Sequence, residues 1–509
     1  MRRIPGMVLV MVLIAAFGAA PLAAPAVAQN GPTITDDLLA EFETFIEAEM
    51  AFYHIPGAAV AVIQDGHVVY ARGFGMRDVE TGDPFTTETL FRVGSTTKSM
   101  TSLLVAQLVD EGLLTWDTPV IDLLPDFAAP TDELTALIRV RDLLGMATGL
   151  ESESLDSLGW SAWTVDDLLS AVAGMHVVGE FGAHYFYSNE VYALAGYVAA
   201  VAAGREPTLD AYDALMHERV FDPVGMASTA ITDDVTQLGD NVSRSYSATL
   251  SDGIAVPNAV RPASLNVVAP AGAVWSNLDD MARYLVTQMN GGVTPGGQRL
   301  VSAENLAETW QGGVLMGGAD PDMGTGEKRY GMGWVSFDWH GEPVLFHDGG
   351  WEGYRTYMTF LPGANVGVLV FANHVFGDLF NPAVTYSFVE LLYGTAPEAA
   401  ARLRQGFEES YGDIETELGT LPPLEVDAEQ VAPFLGAYEG GWTLELREDS
   451  TLWAVRPGWE FLLHPLNAPG VFLTEDLSLG VVIMLRENDY GPFIAIQGST
   501  GLMRYYRLP

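Results

Sequence analysis

The feature that most constrains the fold of this chain is where its strand-like segments lie. Residues 58–75 are typical of two strands joined by a turn at Asp65-Gly66. Residues 120–325 then mix helical patterns with loops that contain glycine and proline. Strand-like patterns return after this stretch, at 330–339, 343–350, 355–362 and 366–374. Both ends of the region are therefore predicted to form one antiparallel sheet, covered by helices, with a helical insertion in the middle.

A second change of pattern lies near the C-terminus. Residues 397–418 look helical and charged, and residues 419–429 have the composition of a linker. From about residue 431, short strands alternate with turn residues, which predicts a small all-β barrel or sandwich. The predicted division has four parts: a signal peptide, a main α+β domain, a helix with linker, and a β-domain, at 1–28, 29–395, 396–429 and 430–509.

The charge of the chain limits its partners. Acidic residues number 66 and basic residues 24, which gives a formal net charge of −42. Such a charge repels nucleic acid and anionic membrane surfaces, so neither is expected as a partner. With 49% hydrophobic and 18% charged residues, the composition is that of a globular protein. The acidic excess is best interpreted as a solvated surface.

The N-terminus has the features of a secretory signal. Arg2 and Arg3 precede an apolar run, and Ala26-Val27-Ala28 resembles a cleavage site, so cleavage is expected after Ala28. The predicted location is periplasmic or secreted, with no membrane anchor after cleavage. The chain has no cysteine, which excludes a cysteine nucleophile, a thiolate metal site and a lipidated N-terminal cysteine.

Ser95 and Lys98 form the first candidate for chemistry, in the stretch FRVGSTTKSM. Apolar residues from Thr96 to Glu111 follow a helical period, so both side chains share one face near the start of a helix. A lysine becomes a base when burial disfavours its charged form. The chain has only one other lysine, Lys328. The alternative interpretation is a capping serine beside a surface lysine.

Two later stretches offer further groups. Tyr187 and Asn189 lie just before an apolar helix, where a tyrosine oxygen can relay a proton and an amide can bind lysine and substrate. Tyr185 is a rival for the role of Tyr187. His347 and Gly349 lie at the end of a predicted strand, where backbone N–H groups can stabilise an oxyanion.

Together these stretches resemble the serine β-lactamase-like superfamily. That superfamily contains class C β-lactamases, penicillin-binding DD-peptidases, D-aminopeptidases and family VIII carboxylesterases. Its three motifs are S-x-x-K, Y-x-N, and K-T-G or H-x-G, and they match Ser95, Tyr187 and His347 in order. Further similar phrases are IPGAAVAVIQDG, LLGMATGL, FDPVGMAST, PAGAVWSNLDDMARYL and YGMGW, so the resemblance covers about residues 33–393.

The resemblance implies a fold and a set of catalytic roles. The fold would be a sheet packed by helices plus an all-helical lobe, followed by a small lipocalin-like β-barrel. Ser95 would be the acylated nucleophile, with Lys98 and Tyr187 activating it. Which of the two takes the first proton stays open.

The resemblance also implies binding roles. Asn189 would hold Lys98 and the substrate, and His347 and Gly349 would line the strand edge beside it. The backbone N–H groups of Ser95 and Gly350 would form the oxyanion hole.

Two positions depart from the family pattern. The third motif begins with His347 instead of lysine, so a permanent charge for a substrate carboxylate is missing. Met146 stands where the family often has histidine. The presence of His347 instead of lysine favours esters or neutral amides as substrates over penicillin-like anions.

The expected function is an exported serine hydrolase that cleaves an ester or amide of a small, D-amino-acid or peptide substrate. The alternatives are a class C-like β-lactamase or DD-peptidase, and a non-catalytic sensor of wall fragments or β-lactams. No G-x-S-x-G, H-E-x-x-H, phosphate loop or dinucleotide motif is present, so no metal or cofactor is expected. The oligomeric state stays open.

Overall fold

The computed structural model describes residues 32–151, 163–260, 264–320, 323–409, 421–456, 459–477, 482–488, 490–498 and 501–508. Strands β1 to β14 are, in chain order, Gly57–Gln64, His67–Asp78, Asp83–Pro84, Phe91–Arg92, Ala230–Ile231, Ser245–Thr249, Gly253–Val260, Val274–Ser276, Val314–Gly317, Lys328–Tyr330, Val335–Trp339, Glu342–Trp351, Tyr354–Leu361 and Val366–Ala372. The longer helices, α1 to α9, are Asp36–Phe52, Thr97–Asp110, Val165–Gly174, Asn189–Ala202, Leu209–Met216, Leu278–Met289, Ala303–Trp310, Gly377–Leu392 and Glu398–Phe407.

Strands from both ends of this region meet in one nine-stranded sheet. Its order is β3-β2-β1-β14-β13-β12-β11-β10-β9, and each pair of neighbouring strands runs antiparallel. The Gly57 N–H donates to the side-chain oxygen of Asn373, 316 residues away, at 2.8 Å. Asp65 and Gly66 both have positive φ, as a tight hairpin turn requires. The predicted assembly from both ends is confirmed.

Helices cover both faces of this sheet. Helix α8 packs against β13 and β14, and α1 packs against α8. On the opposite face, α6 packs against β1 and β14, where the absence of a side chain at Gly367 leaves room for Leu285 and Met289. Successive side chains of β14 point to opposite faces of the sheet. Because helices cover both faces, all of these side chains are buried, and the strand is apolar throughout.

Helix α2 is the buried centre of the helical part. Every residue from Thr97 to Leu108 is buried, and α2 packs against α4 and α7. Two of its polar side chains have partners inside the protein: Thr101 bonds with the hydroxyl of Tyr212 at 2.7 Å, and Ser99 accepts from Tyr284 at 3.0 Å. Such partners offset the cost of burying these polar groups.

Two small sheets contain strands that the sequence did not predict. Strands β4, β8 and β5 form a three-stranded sheet, and β6 pairs with β7 as a hairpin. The three-stranded sheet is built from segments of two or three residues, which are too short for a periodic pattern.

The C-terminal strands form a second sheet. Strands β15 to β22 are Gly436–Ala437, Thr443–Leu446, Leu452–Arg456, Trp459–Pro465, Val471–Thr474, Val482–Asn488, Gly491–Gly498 and Gly501–Tyr506. They pair in sequence order, and the two ends meet where the Leu508 N–H donates to the Ala437 carbonyl at 2.8 Å. The sheet has its own apolar core, which includes Trp442, Phe461 and Ile494. The prediction that the C-terminal part folds as a small all-β unit is confirmed: its eight strands form one curled, barrel-like sheet.

The second sheet contacts the β6–β7 hairpin through the segment after β19. The Leu250 N–H donates to the Glu475 carbonyl at 3.0 Å, and the Leu477 N–H donates to the Ala248 carbonyl at 3.0 Å. The Ser251 N–H donates to the Glu475 carboxylate at 2.6 Å. The predicted domain boundaries themselves stay predictions.

No helix in the described part of the chain is long and apolar enough to cross a membrane. Residues 191–204, the most apolar later stretch, fall largely within the buried helix α4. The predicted signal peptide, including its cleavage site after Ala28, lies outside the described residues.

Candidate active site

Ser95 lies in a short 3₁₀ turn, Gly94–Thr96, immediately before α2. The turn begins at Gly94 with φ of 56°, a conformation that glycine adopts without strain. The Thr96 hydroxyl donates to the Val93 carbonyl at 2.8 Å and fixes the turn. Ser95 is partly exposed, whereas its neighbours Gly94 and Thr96 are buried. The hydroxyl of Ser95 is thus presented at the start of a helix.

Lys98 lies one turn further along, completely buried, and its amine has three acceptors. Nζ donates to Ser95 Oγ at 3.1 Å, to the Ala271 carbonyl at 2.8 Å and to Asn189 Oδ1. The ring of Tyr187 lies 4.5 Å from Nζ. A buried amine with this many fixed partners has one defined position, close to the serine oxygen.

Tyr187 completes the contacts of Ser95. Its hydroxyl donates to Ser95 Oγ at 2.6 Å. The rival, Tyr185, instead packs its ring 5.2 Å from that of Tyr330. Tyr187 is therefore the tyrosine that the structure brings to the serine.

The start of α4 holds Tyr187 and Asn189 in place. Ser188 caps the helix, and its hydroxyl accepts from the Val191 N–H at 3.2 Å. The Met146 carbonyl accepts from the Phe186 N–H at 2.9 Å, and its sulfur lies 3.4 Å from the Ser188 nitrogen. Met146 thus supports the loop that carries Tyr187.

The edge of β12 lies beside the serine turn. Strand β11 pairs with β12 only as far as Phe346. Residues 347–351 of β12 therefore extend beyond the end of β11. A side chain at Gly349 would lie 2.2 Å from the Val93 carbonyl, and one at Gly94 would lie 2.7 Å from the Gly350 nitrogen. Only glycines allow so close an approach.

This contact brings both predicted oxyanion donors together. A Cβ added to Gly349 would lie 3.1 Å from the backbone nitrogen of Ser95. A Cβ added to Gly94 would lie 2.7 Å from the backbone nitrogen of Gly350. Two backbone N–H groups along one contact can stabilise a developing oxyanion. The role of Ser95 and Gly350 in this respect stays a prediction.

His347 lies on the same strand and is 2% exposed. Its Nδ1 is 2.5 Å from the Asp348 carbonyl, and its Nε2 is 3.0 Å from the Tyr330 hydroxyl. Burial lowers the pKa of His347; Asp348 acts in the opposite direction and Lys98 in the same direction as burial. His347 is thus a neutral side chain at pH 7.

Three contacts of the site were not predicted from the sequence. The Ala271 carbonyl binds Lys98, Tyr330 binds His347, and the Tyr192 hydroxyl donates to the Lys98 carbonyl at 2.7 Å. Ala271 and Tyr330 lie within PAGAVWSNLDDMARYL and YGMGW, phrases that carried the resemblance without an assigned role. No group of side chains suited to a metal ion occurs among the described residues.

A family model described as Beta-lactamase matches residues 42–386. The chain belongs to the beta-lactamase family. This membership confirms the resemblance, because the match covers the serine turn, the start of α4 and the edge of β12. Members of the beta-lactamase family are generally hydrolytic.

Individual relatives agree with this membership. The chain is 29% identical to penicillin-binding protein 4 of Amycolatopsis lactamdurans over 402 residues, which cover 79% of this chain and 97% of the relative. It is 25% identical to an unguisins hydrolase of Aspergillus campestris over 396 residues, which cover 75% of this chain and 70% of the relative.

A solved structure extends the likeness of the fold. The octameric penicillin-binding protein homologue from Pyrococcus abyssi matches with a TM-score of 0.61 and 21% identity. The match covers 92% of this chain and 100% of that one, so it spans both sheets. At this identity the likeness concerns the fold.

Proposed function

We propose that the protein is a serine hydrolase that works through an acyl-enzyme on Ser95. The observation that carries this proposal is the double contact of Ser95 Oγ, 3.1 Å from Lys98 Nζ and 2.6 Å from the Tyr187 hydroxyl. A serine hydroxyl is a weak nucleophile until a neighbouring base takes its proton. Here both candidate bases are within hydrogen-bond reach of the reacting oxygen.

The proposed reaction has two halves. Ser95 Oγ attacks the substrate carbonyl carbon while its proton passes to Lys98 or Tyr187, and the carbonyl oxygen becomes an oxyanion facing the Ser95 and Gly350 N–H groups. The same proton then goes to the leaving alcohol or amine, and the acyl-enzyme remains. In the second half, water attacks the acyl carbonyl carbon and gives one proton to Lys98 or Tyr187; the bond to Ser95 Oγ then breaks, Oγ takes that proton, and the carboxylic acid leaves.

The proposed substrates are esters or neutral amides, including those of D-amino acids. Support comes from the neutral, buried His347, which offers no permanent charge to a substrate carboxylate. The net charge of −42 favours the same substrates, because it repels anions at long range.

A second candidate is a β-lactamase or DD-peptidase activity. The similarity to penicillin-binding protein 4, which extends over 97% of that relative, favours this candidate. The non-catalytic sensor is a weaker candidate, since Ser95, Lys98 and Tyr187 are in mutual contact.

One assay separates these candidates. The purified protein and Ser95→Ala are compared on nitrophenyl esters, nitrocefin and D-amino-acid anilides, with mass spectrometry of the intact chain for an acyl adduct. We expect ester or anilide turnover and an adduct that both disappear in Ser95→Ala. An equally active Ser95→Ala would refute the mechanism, and binding without turnover or adduct would favour the sensor.

We further propose that the chain is exported, with a signal peptide that ends at Ala28, and that residues 430–509 form a separate domain. N-terminal sequencing of the protein from the culture medium or periplasm tests the first point. Limited proteolysis tests the second, with cleavage expected in the linker 419–429.

A further inference from the structure

The hydrogen bonds of His347 define its protonation. The Asp348 carbonyl can only accept, so the 2.5 Å contact places the proton of His347 on Nδ1. Nε2 then carries a lone pair and accepts from the Tyr330 hydroxyl at 3.0 Å. Burial raises the pKa of Tyr330 well above its usual value, so this hydroxyl keeps its proton and can donate it. Both ring nitrogens of His347 are therefore occupied.

Tyr330 is itself held firmly beside the site. It is 1% exposed, and its ring packs 5.2 Å from Tyr185 and 5.8 Å from His347. Gly333 lies in the same segment, residues 330–334, and packs closely on α2: a Cβ added there would lie 2.9 Å from the Lys98 carbonyl carbon. The segment thus connects the wall formed by His347 to the helix that carries Lys98.

The charged groups around His347 come from three elements. Lys98 approaches from α2, Asp348 follows His347 on β12, and Lys328 on β10 interacts with Asp348 and Asp320. The tyrosines 185, 187 and 192 lie around Tyr330, and burial raises the pKa of Tyr192 well above its usual value. A proton on Nε2 would make an imidazolium close to the Lys98 amine, at a site where burial already disfavours charge.

We infer that Tyr330 is a specificity-determining residue, which keeps His347 as a neutral ring with no free N–H and so selects acyl donors without a carboxylate. This inference rests on the proposed acyl transfer at Ser95. Tyr330 acts through His347 and is a positioning residue. A ring with a free Nε2 could take a proton and bind an anion; the hydrogen bond from Tyr330 prevents this.

Two esters of equal length test the inference: 4-nitrophenyl pentanoate and mono-4-nitrophenyl glutarate, which differ by a terminal carboxylate. The ratio of their kcat/KM values is measured for the wild type and Tyr330→Phe across the range where histidine titrates. The wild type is expected to prefer the pentanoate at every pH.

In Tyr330→Phe, Nε2 is free to accept a proton as the pH falls. We expect the preference for the pentanoate to fall by about tenfold at the acid end, through a lower KM for the glutarate, because a charge-assisted hydrogen bond becomes available. Tyr438→Phe is the control, since the Tyr438 side chain is as little exposed as that of Tyr330 and its hydroxyl donates to the Phe434 carbonyl, away from the site. Its ratio should match the wild type.

An unchanged ratio in folded Tyr330→Phe, or an equal loss on both esters, would overturn the inference. Failure of the proposed function gives a different result, because the wild type would then hydrolyse neither ester, or Ser95→Ala would hydrolyse both.

A measurement on the wild type covers the case in which Tyr330→Phe does not fold. Nitrogen-15 histidine spectra, assigned with His347→Gln, should show an unprotonated Nε2 that does not titrate across the same pH range. A protonated Nε2 at neutral pH would overturn the inference.

Discussion

At the scale of single residues, Tyr187 and Tyr185 offer a direct comparison. They are two positions apart, yet Tyr187 donates to Ser95 Oγ at 2.6 Å while the ring of Tyr185 packs, tilted, 5.2 Å from that of Tyr330. Replacing each with phenylalanine keeps the ring and removes only the oxygen. The pair therefore separates proton transfer from packing.

For Tyr187→Phe we expect kcat to fall by about 10²–10⁴-fold, the usual range for a lost general base or relay. For Tyr185→Phe we expect a change of less than about threefold, because its ring contact survives. Steady-state kinetics on one nitrophenyl ester measures both. Equal losses in the two variants would contradict the assigned relay.

The sequence predicted much of the site but not all of it. Ser95, Lys98, Tyr187, Asn189 and His347 came from short motifs, and the structure brings them together. Tyr330 and Ala271 could not be derived in the same way. Ala271 acts through a contact with Lys98, 173 positions away, and Tyr330 through a contact with His347, 17 positions away, so neither contact lies within one short motif.

At the scale of secondary structure, the edge of β12 depends on the missing side chain of Gly349. An added Cβ would lie 2.2 Å from the Val93 carbonyl and 2.3 Å from Thr356 Oγ1. The contact with the Val93 carbonyl is with backbone and cannot be relieved without moving the strand away from the serine turn.

We therefore expect Gly349→Ala to lower kcat by about 10–100-fold and the free energy of unfolding by about 1–3 kcal/mol, as overpacking does. The control is Gly406→Ala in α9, where an added Cβ meets nothing within 4 Å. Enzyme kinetics and chemical denaturation of both variants provide the check. Full activity in Gly349→Ala would show that the strand edge does not need this approach.

Secondary structure was predictable where the hydrophobic pattern was long. Helix α2 was predicted from Thr96 to Glu111 and runs Thr97–Asp110, and the strands at 355–362 and 366–374 match β13 and β14 closely. The short strands β4, β5 and β8 were missed. Their pairing depends on distant partners, so no local pattern indicates them.

At the scale of the whole molecule, Glu475 joins the second sheet to the β6–β7 hairpin. Its carboxylate accepts from the Ser251 N–H at 2.6 Å and lies 2.7 Å from His464 Nδ1. Burial opposes its ionisation, but the hydrogen bonds from His464 and Ser251 prevail and hold the pKa of Glu475 below its usual value.

Because this pKa is lower in the folded state, the stabilisation is complete above the unfolded-state pKa and is lost as the pH falls through the folded-state pKa. We expect Glu475→Gln to lower the free energy of unfolding at pH 7 by about 1–3 kcal/mol. The variant should also lose less stability than the wild type on acidification. Calorimetry at neutral and acidic pH measures this, with the exposed Glu487→Gln as control. Parallel pH curves for Glu475→Gln and wild type would contradict the assignment.

The pairing of β1 with β14 has a consequence for how the chain is made. Strand β1 is buried along almost its whole length, yet one of its two neighbours is not synthesised until more than 300 residues later. Until then an apolar edge stays open, and contacts at such separation form slowly. We therefore expect β1 of the nascent chain to be open to pairing with another molecule until β14 has been made.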